Sequence, residues 1–289
     1  MTNFGERVAA WAARQRSIDA VVLIGSRTRQ TGDVTKADDL SDWDFHVITS
    51  QPDRFLNRDW TAELGLGPAL AYGARRGAVG GVTRVTALFP EIESDFVVLS
   101  SLVWNAVRLG LRLGLHRRVP SVRRRATDLA LIVRPGHRVL HGGKRWANFY
   151  RRVVDCMQDP RLGDADACRL AERFVCDYIW LQRKIARGEL LAAQRMLHHS
   201  LAEINFQLLH ECRLRRGEPT FPEARRIERV LDGATLDRVT VVAGPDSDAL
   251  LAAGEKAAET CRELMRSLVG SAWRWPNLVA MPDATRRRG

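Results

Sequence analysis

The sequence has no uninterrupted apolar run of about 18 residues, the length that a membrane-spanning helix needs. Its N-terminal segment carries Glu6 and Arg7 where a signal peptide would have its apolar stretch. The five cysteines are odd in number and include no CxxC pair, so neither a disulfide framework nor a zinc site is predicted. These absences predict a soluble, cytoplasmic protein with reduced thiols and no membrane partner.

Lysine is also scarce, and almost every basic residue is arginine. The 45 basic and 34 acidic residues give a net charge of +11, and both halves of the chain carry the excess. Such a charge makes polyanions candidate partners. A chain of 289 residues with 45% hydrophobic residues is long enough for one large domain or two ordinary ones.

The order of apolar patterns predicts an α+β fold followed by a helical bundle. Strand-like runs in the first half cover residues 20–26, 44–50, 84–89, 95–100 and 129–136. Residues 6–17 and 101–114 have helical spacing. The strands and helices together predict a mixed β-sheet flanked by helices. From residue 144 onward the patterns predict helices over 144–157, 165–187, 190–215, 223–231 and 246–269. We therefore predict domains over residues 1–143 and 144–289.

Two aspartates at the start of one predicted strand suggest a metal site. Asp42 and Asp44 are two residues apart, so on a strand they would project to the same face. Two carboxylates side by side repel each other, but a divalent cation between them makes the arrangement favourable, and oxygen ligands suit Mg²⁺. The alternative is that Ser41 and Asp42 cap a loop while Asp44 faces solvent.

A Gly-Ser pair ends the preceding predicted strand. Gly25 permits close approach of the backbone, where free N–H groups attract phosphate, and Ser26 adds a donor. Arg27 supplies a cation, and Arg29 is a further candidate. A phosphate binder and a carboxylate pair on consecutive strands are what a metal-bound nucleoside triphosphate needs. The alternative is an ordinary turn.

Phosphoryl chemistry of this kind needs a further carboxylate, to share the metal or to accept a proton from an attacking hydroxyl. Asp95 directly precedes the apolar run at 96–99, and Glu91 and Glu93 compete for the role. We favour Asp95, because its strand can then lie beside the strand of Asp44. The alternative is solvation of a strand end.

The segments "GSR" (25–27), "SDWDFHVI" (41–48), "AYGARRG" (71–77) and "SDFVVL" (94–99) resemble the nucleotidyltransferase superfamily. Within it, the layout is similar to the aminoglycoside 6-adenylyltransferase (streptomycin adenylyltransferase) group. Residues 172–211 resemble the helical domain of that group. The resemblance implies a catalytic domain, an acceptor-binding helical domain and transfer of AMP from ATP to a hydroxyl. It implies Mg²⁺ on Asp42 and Asp44, and Asp95 as general base or third metal ligand. Gly25, Ser26 and Arg27 would bind the triphosphate.

The resemblance also implies a small acceptor, an aminoglycoside, which as a polycation needs acidic surroundings. Glu172, Asp177 and Tyr178 are the candidate acceptor residues, with Glu203 and Glu211 as further carboxylates. The basic charge of the chain argues against a polycationic acceptor, and seven arginines lie between residues 108 and 125. These arginines either form a solvated helix and loop or dock an anionic partner.

Two other functions therefore stay open. One is a nucleotidyltransferase acting on RNA or on a protein, although nucleic acid is not the favoured partner. The other is a catalytically silent nucleotide-binding protein, against which the complete aspartate set argues.

Overall fold

The structure of the protein is a computed structural model, which describes residues 3–30, 33, 36–76, 82–159, 161–221 and 224–277. The chain divides into two compact units, Met1–Pro160 and Arg161–Gly289. This division lies one helix later than the predicted boundary after residue 143.

The strands of the first unit are β1 (Ile18–Ile24), β2 (Trp43–Thr49), β3 (Ala71–Arg76), β4 (Val82–Leu88), β5 (Glu93–Ser100) and β6 (Arg138–His141). In the described residues they form one six-stranded sheet in the order β3-β4-β5-β2-β1-β6. Strands β2 and β5 pair in parallel, and the other neighbouring pairs are antiparallel. The predicted mixed sheet is confirmed.

Helices cover both faces of this sheet: α1 (Phe4–Ala13), α2 (Ser101–Arg112), α3 (Pro120–Val133) and α4 (Gly143–Cys156). On one face, α1 and two 3-10 segments, Pro52–Leu56 and Arg58–Leu64, form a core with alternate sheet residues. On the other face, α2, α3 and α4 form a second core. The sheet flanked by helices confirms the predicted class of this domain.

Helix α4 explains why the boundary shifts. Its buried residues pack in the same core as Val22 of β1 and Ile48 of β2: Trp146, Phe149, Tyr150 and Val153. The apolar stripe of this helix is therefore satisfied by the sheet, which places α4 in the first unit.

The strand predicted over residues 129–136 is wrong, because most of this run lies in α3. Pro120 stands in the first turn of the helix, a position where its missing N–H costs nothing. The buried residues Ala126, Leu129, Ala130 and Val133 recur at intervals of three or four, which is the helical period. A short apolar run does not distinguish a buried strand from one side of a helix.

The second unit contains α5 (Asp164–Ala186), α6 (Leu190–Met196), α7 (Glu203–Arg216), α8 (Gly233–Val239) and α9 (Ser247–Val269). A π-helical turn, Leu197–Ala202, joins α6 to α7, so the predicted long helix over 190–215 is confirmed. Strands are absent from the described part of this unit, which agrees with the predicted helical domain. None of the described helices combines the length and apolar character needed to cross a membrane.

The helix predicted over residues 223–231 is wrong for the residues that the structure describes. A short 3-10 turn, Ile227–Arg229, forms there instead of an α-helix, and Glu223 lies outside the described residues. Ala224 and Arg226 have φ angles of 55° and 52°, in the left-handed region, which interrupts a right-handed helix.

Candidate active site

Asp42 directly precedes β2 and Asp44 is its second residue, on the face opposite a pair of stacked aromatic rings. The rings of Trp43 and Phe45 have centroids 6.2 Å apart and are nearly parallel, and Phe4 meets both of them edge-on. Because side chains alternate along a strand, burial of the rings directs both carboxylates to the other face. A slip of one residue would bury the carboxylates and expose the rings, so the packing holds the register.

The third carboxylate comes from the neighbouring strand. In the parallel pairing of β2 and β5, Asp95 lies directly opposite Asp44. One oxygen from each of Asp42, Asp44 and Asp95 lies within 4.8 Å of the other two, and all three residues are partly buried. Glu91 and Glu93, the competing candidates, are exposed. The fold thus brings together the three aspartates that the sequence analysis selected.

The absence of a side chain at Gly25 leaves room for the carboxylate of Asp44. The antiparallel pairing of β1 and β2 sets Ile24 opposite Asp44, so the chain turns beside that carboxylate at the next residue. Gly25 has a φ of +75°, and a Cβ there would lie 2.0 Å from Oδ2 of Asp44. Both the backbone conformation and the close approach therefore require glycine at this position.

Two buried polar atoms at this site have no hydrogen-bond partner among the described residues. They are Oγ of Ser26, a residue that is 1% exposed, and Oδ1 of Asp95. A buried polar atom without a partner costs about 1–3 kcal/mol, so such atoms are uncommon in folded proteins. A hydroxyl donor and a carboxylate acceptor beside two further carboxylates fit a ligand of phosphate and metal.

Arg27 braces the loop that carries Asp42. Its Nε donates to the carbonyl of Asp42 at 2.9 Å, and its Nη2 donates to the carbonyl of Ser41. The guanidinium also lies 4.4 Å from the ring centroid of Trp43. These contacts differ from the predicted use of Arg27 as a phosphate ligand, because the backbone carbonyls already take two of its nitrogens.

A buried histidine that the sequence analysis missed lies on the same strand face. His46 follows Asp44 by two residues, and its Nδ1 lies 3.2 Å from Oη of Tyr150 in α4. Burial, with a contribution from His137, lowers the pKa of His46 to about 3. Burial raises the pKa of Tyr150. Both groups are therefore neutral near pH 7, and they join β2 to α4 without adding charge beside the carboxylates.

The candidate acceptor residues lie in α5 of the second unit. Glu172 is exposed, whereas Asp177 accepts a hydrogen bond from Ser200 and lies 3.6 Å from the guanidinium of Arg173. Tyr178 is 3% exposed in the helical core, and its hydroxyl donates to Glu255. The ring of Tyr178 thus has a packing role, which differs from the predicted contact with an acceptor.

The further carboxylates predicted for an acidic cleft also have structural partners. The side chain of Glu211 is 4% exposed and accepts from Arg161 and Arg215 and from the backbone N–H of Leu162. Burial alone would raise the pKa of Glu211, but these donors hold it below its usual value. Glu203 accepts from Gln207 at 3.0 Å.

Comparisons with known proteins give matches in structure alone. No protein-family model and no curated protein matches the sequence. The chain is similar in structure to an aminoglycoside 6-adenyltransferase from Bacillus subtilis, with 11% identity and a TM-score of 0.38 over 96% of this chain and 94% of that chain. It is also similar to a nucleotidyltransferase-like protein from Exiguobacterium sibiricum 255-15, with 11% identity and a TM-score of 0.34 over 90% and 72%. Values this low show neither a shared substrate nor shared site residues.

Proposed function

We propose that the protein is a nucleotidyltransferase, which transfers AMP from ATP to a hydroxyl group of a small acceptor and requires Mg²⁺. The observation that carries this proposal is the convergence of Asp42, Asp44 and Asp95 within 4.8 Å. Three carboxylates this close repel one another, and a divalent cation bound between them would balance that repulsion.

The three aspartates are the proposed metal ligands. Carboxylate oxygens are the donors that Mg²⁺ prefers, and the space that Gly25 leaves beside Asp44 allows the carboxylates to converge. Bound Mg²⁺ would supply positive charge to the phosphate oxygens as negative charge develops on them.

Ser26 is the proposed donor to the triphosphate. Its buried Oγ lacks a partner in the described residues, and it lies in the turn beside Asp44. Gly25 permits the approach of the phosphate to the backbone of this turn. Arg27 acts on the nucleotide indirectly, by holding the loop that carries the proposed metal ligand Asp42. Its side chain donates hydrogen bonds to the carbonyls of Ser41 and Asp42.

Asp95 is the proposed proton acceptor, in addition to any role as a metal ligand. Attack of the acceptor oxygen forms an O–P bond at the α-phosphorus, the bond to pyrophosphate breaks, and the hydroxyl proton passes to a carboxylate oxygen. Oδ1 of Asp95 is buried and without a described partner, so it can accept this proton.

The aminoglycoside remains the acceptor predicted from the resemblance, with Glu172 and Asp177 as candidate contacts. An RNA or protein acceptor is the second candidate, and silent nucleotide binding is the third. The test is incubation of the purified protein with ATP labelled at the α-phosphate, Mg²⁺, and panels of aminoglycosides, sugar phosphates and RNAs. Label in any acceptor that is lost in Asp44→Asn and kept in Asp39→Asn, an exposed aspartate, supports the proposal. Binding of ATP without label in any acceptor would favour the silent alternative.

A further inference from the structure

The hairpin of β3 and β4 has one covered face and one open face. On the covered face, Val85 and Ala87 lie in the core with the 3-10 segments. On the other face lies a groove of about 360 Å³, lined chiefly by Gly73, Arg75, Arg84, Thr86 and Leu88, with Ala71 and Tyr72 at its edge. Gly73 adds no side chain, and a Cβ there would meet nothing within 4 Å. The groove is therefore open sheet surface.

This groove begins beside the carboxylates. Sheet pairing sets Asp44 opposite Asp95, Asp95 opposite Thr86, and Thr86 opposite Gly73. Residues paired across a sheet project to the same face, so this row leads from the proposed metal ligands directly into the groove. A ligand in the groove would have one end beside Asp95.

Two arginines occupy the next row of the groove. Arg75 and Arg84 are paired across β3 and β4, and both are exposed. Neither makes a hydrogen bond or ion pair with any residue that the structure describes. Like charges directly opposite each other on a sheet are destabilising, and a shared anion removes that cost. Two guanidinium groups also offer the paired donors that suit phosphate oxygens.

The position of the groove indicates that it binds the acceptor rather than the nucleotide. Ser26 follows β1 on one side of Asp44, whereas Thr86 belongs to β4 on the other side of Asp95. In phosphoryl transfer the attacking and leaving oxygens lie roughly in line, on opposite sides of the phosphorus. If pyrophosphate leaves toward Ser26, the acceptor enters over β4. This step rests on the proposed function.

We propose that the acceptor is a small phosphate ester, whose phosphate is bound by Arg75 and Arg84 and whose free hydroxyl faces Asp95. Spacings of about 4.8 Å between strands and about 7 Å between alternate residues put the Cα atoms of Arg84 and Asp95 about 8 Å apart. That span suits a phosphorylated sugar or polyol. A polycationic acceptor would instead meet two guanidinium groups beside the site.

The test is calorimetric titration of the full chain with inorganic phosphate, in the presence of Mg²⁺ and a non-transferable ATP analogue that occupies the nucleotide site. We expect Arg75→Gln and Arg84→Gln each to weaken phosphate binding about tenfold or more, the usual effect of losing a hydrogen bond to a charged group. Gly73→Val, which fills the groove, should weaken it as well. Arg76→Gln is the matched control, since Arg76 is paired with Asp53 on the other face of β3 and should leave the affinity unchanged.

Each outcome separates this inference from the proposed function. Equal phosphate affinity in Arg75→Gln, Arg84→Gln and Arg76→Gln overturns the inference, even while the ATP analogue binds normally. Loss of affinity for the analogue in the Arg75 and Arg84 variants, with phosphate binding unchanged, also overturns it and assigns the groove to the nucleotide. Failure of the wild-type protein to bind the analogue contradicts the proposed function, and the heat of the analogue's own titration reports that separately.

Discussion

Replacing Gly25 with alanine tests the carboxylate site through a single methyl group. The new Cβ would lie 2.0 Å from Oδ2 and 2.9 Å from Cγ of Asp44. Ordinary contacts between such atoms are about 3.5 Å, so the carboxylate must move by about 1 Å or more. Mg²⁺ holds its oxygen ligands in a nearly ideal octahedron at about 2.0–2.1 Å, so a shift of this size removes Asp44 from the metal.

The expected magnitudes follow from these contacts. The left-handed φ of +75° costs an alanine about 1–2 kcal/mol of folding free energy. A displacement of about 1 Å at a reacting centre lowers the rate about 10²-fold. Gly25→Ala should therefore remain folded, with lower stability, and lose most of its Mg²⁺ affinity and transfer activity.

Gly114→Ala is the matched control, because Gly114 has a φ of +73° and a Cβ there meets nothing within 4 Å. Denaturant unfolding should show a similar loss of stability in both variants. Calorimetric titration with Mg²⁺ and a labelled-ATP assay should show a loss in Gly25→Ala alone. Normal Mg²⁺ affinity in Gly25→Ala, or an equal loss in both variants, would refute the reasoning.

The remaining predictions concern the carboxylates of the site and one buried ion pair. Asp44→Asn should abolish transfer and weaken Mg²⁺ binding while the chain remains folded, as measured by titration and unfolding; unchanged Mg²⁺ affinity would contradict the metal assignment. Asp95→Asn should keep ATP binding and lower transfer about 10²-fold or more, and loss of nucleotide binding would make Asp95 chiefly a metal ligand. Glu211→Gln should destabilise the fold by about 1–2 kcal/mol near pH 7, because it removes the charge shared by Arg161 and Arg215, which are both partly exposed to solvent. Since the pKa of Glu211 is lowered in the fold, its contribution is present above pH 4.5 and is lost as the pH falls through the lower value; a difference from wild type that stayed constant down to pH 2 would contradict this.

The sequence predicted that Asp42 and Asp44 share one face of a strand, because strand alternation is a short-range rule. The order Asp42, Trp43, Asp44, Phe45 sets carboxylates on one face and rings on the other, and the structure has this arrangement. His46 follows the same rule and was still missed, since nothing local indicates Tyr150 as its partner. Spacing assigns a face, whereas contacts from distant segments require the fold.

The wrong strand over residues 129–136 arose because a dense apolar run was the only signal. The run at 129–136 looks like a strand because its apolar residues are dense, but within it α3 buries only Leu129, Ala130 and Val133. The phosphate-binding role of Arg27 stays a prediction, made from its place after Gly25 and Ser26. In the structure the carbonyl oxygens of Ser41 and Asp42 accept hydrogen bonds from Arg27. Sequence spacing does not reveal these contacts, because they depend on how the loop folds back.

The distribution of charge over the sheet explains why the net charge says little about the site. Three carboxylates converge at β2 and β5 although the chain carries a net charge of +11. In physiological salt, charges separated by more than about 8 Å are largely screened, so an acceptor responds to the groups nearest the reacting atoms. In the proposed acceptor groove those groups are Arg75 and Arg84, which lie opposite each other because β3 and β4 pair in one register. The proposed preference for a phosphate ester therefore depends on that register, which the total of basic residues does not encode.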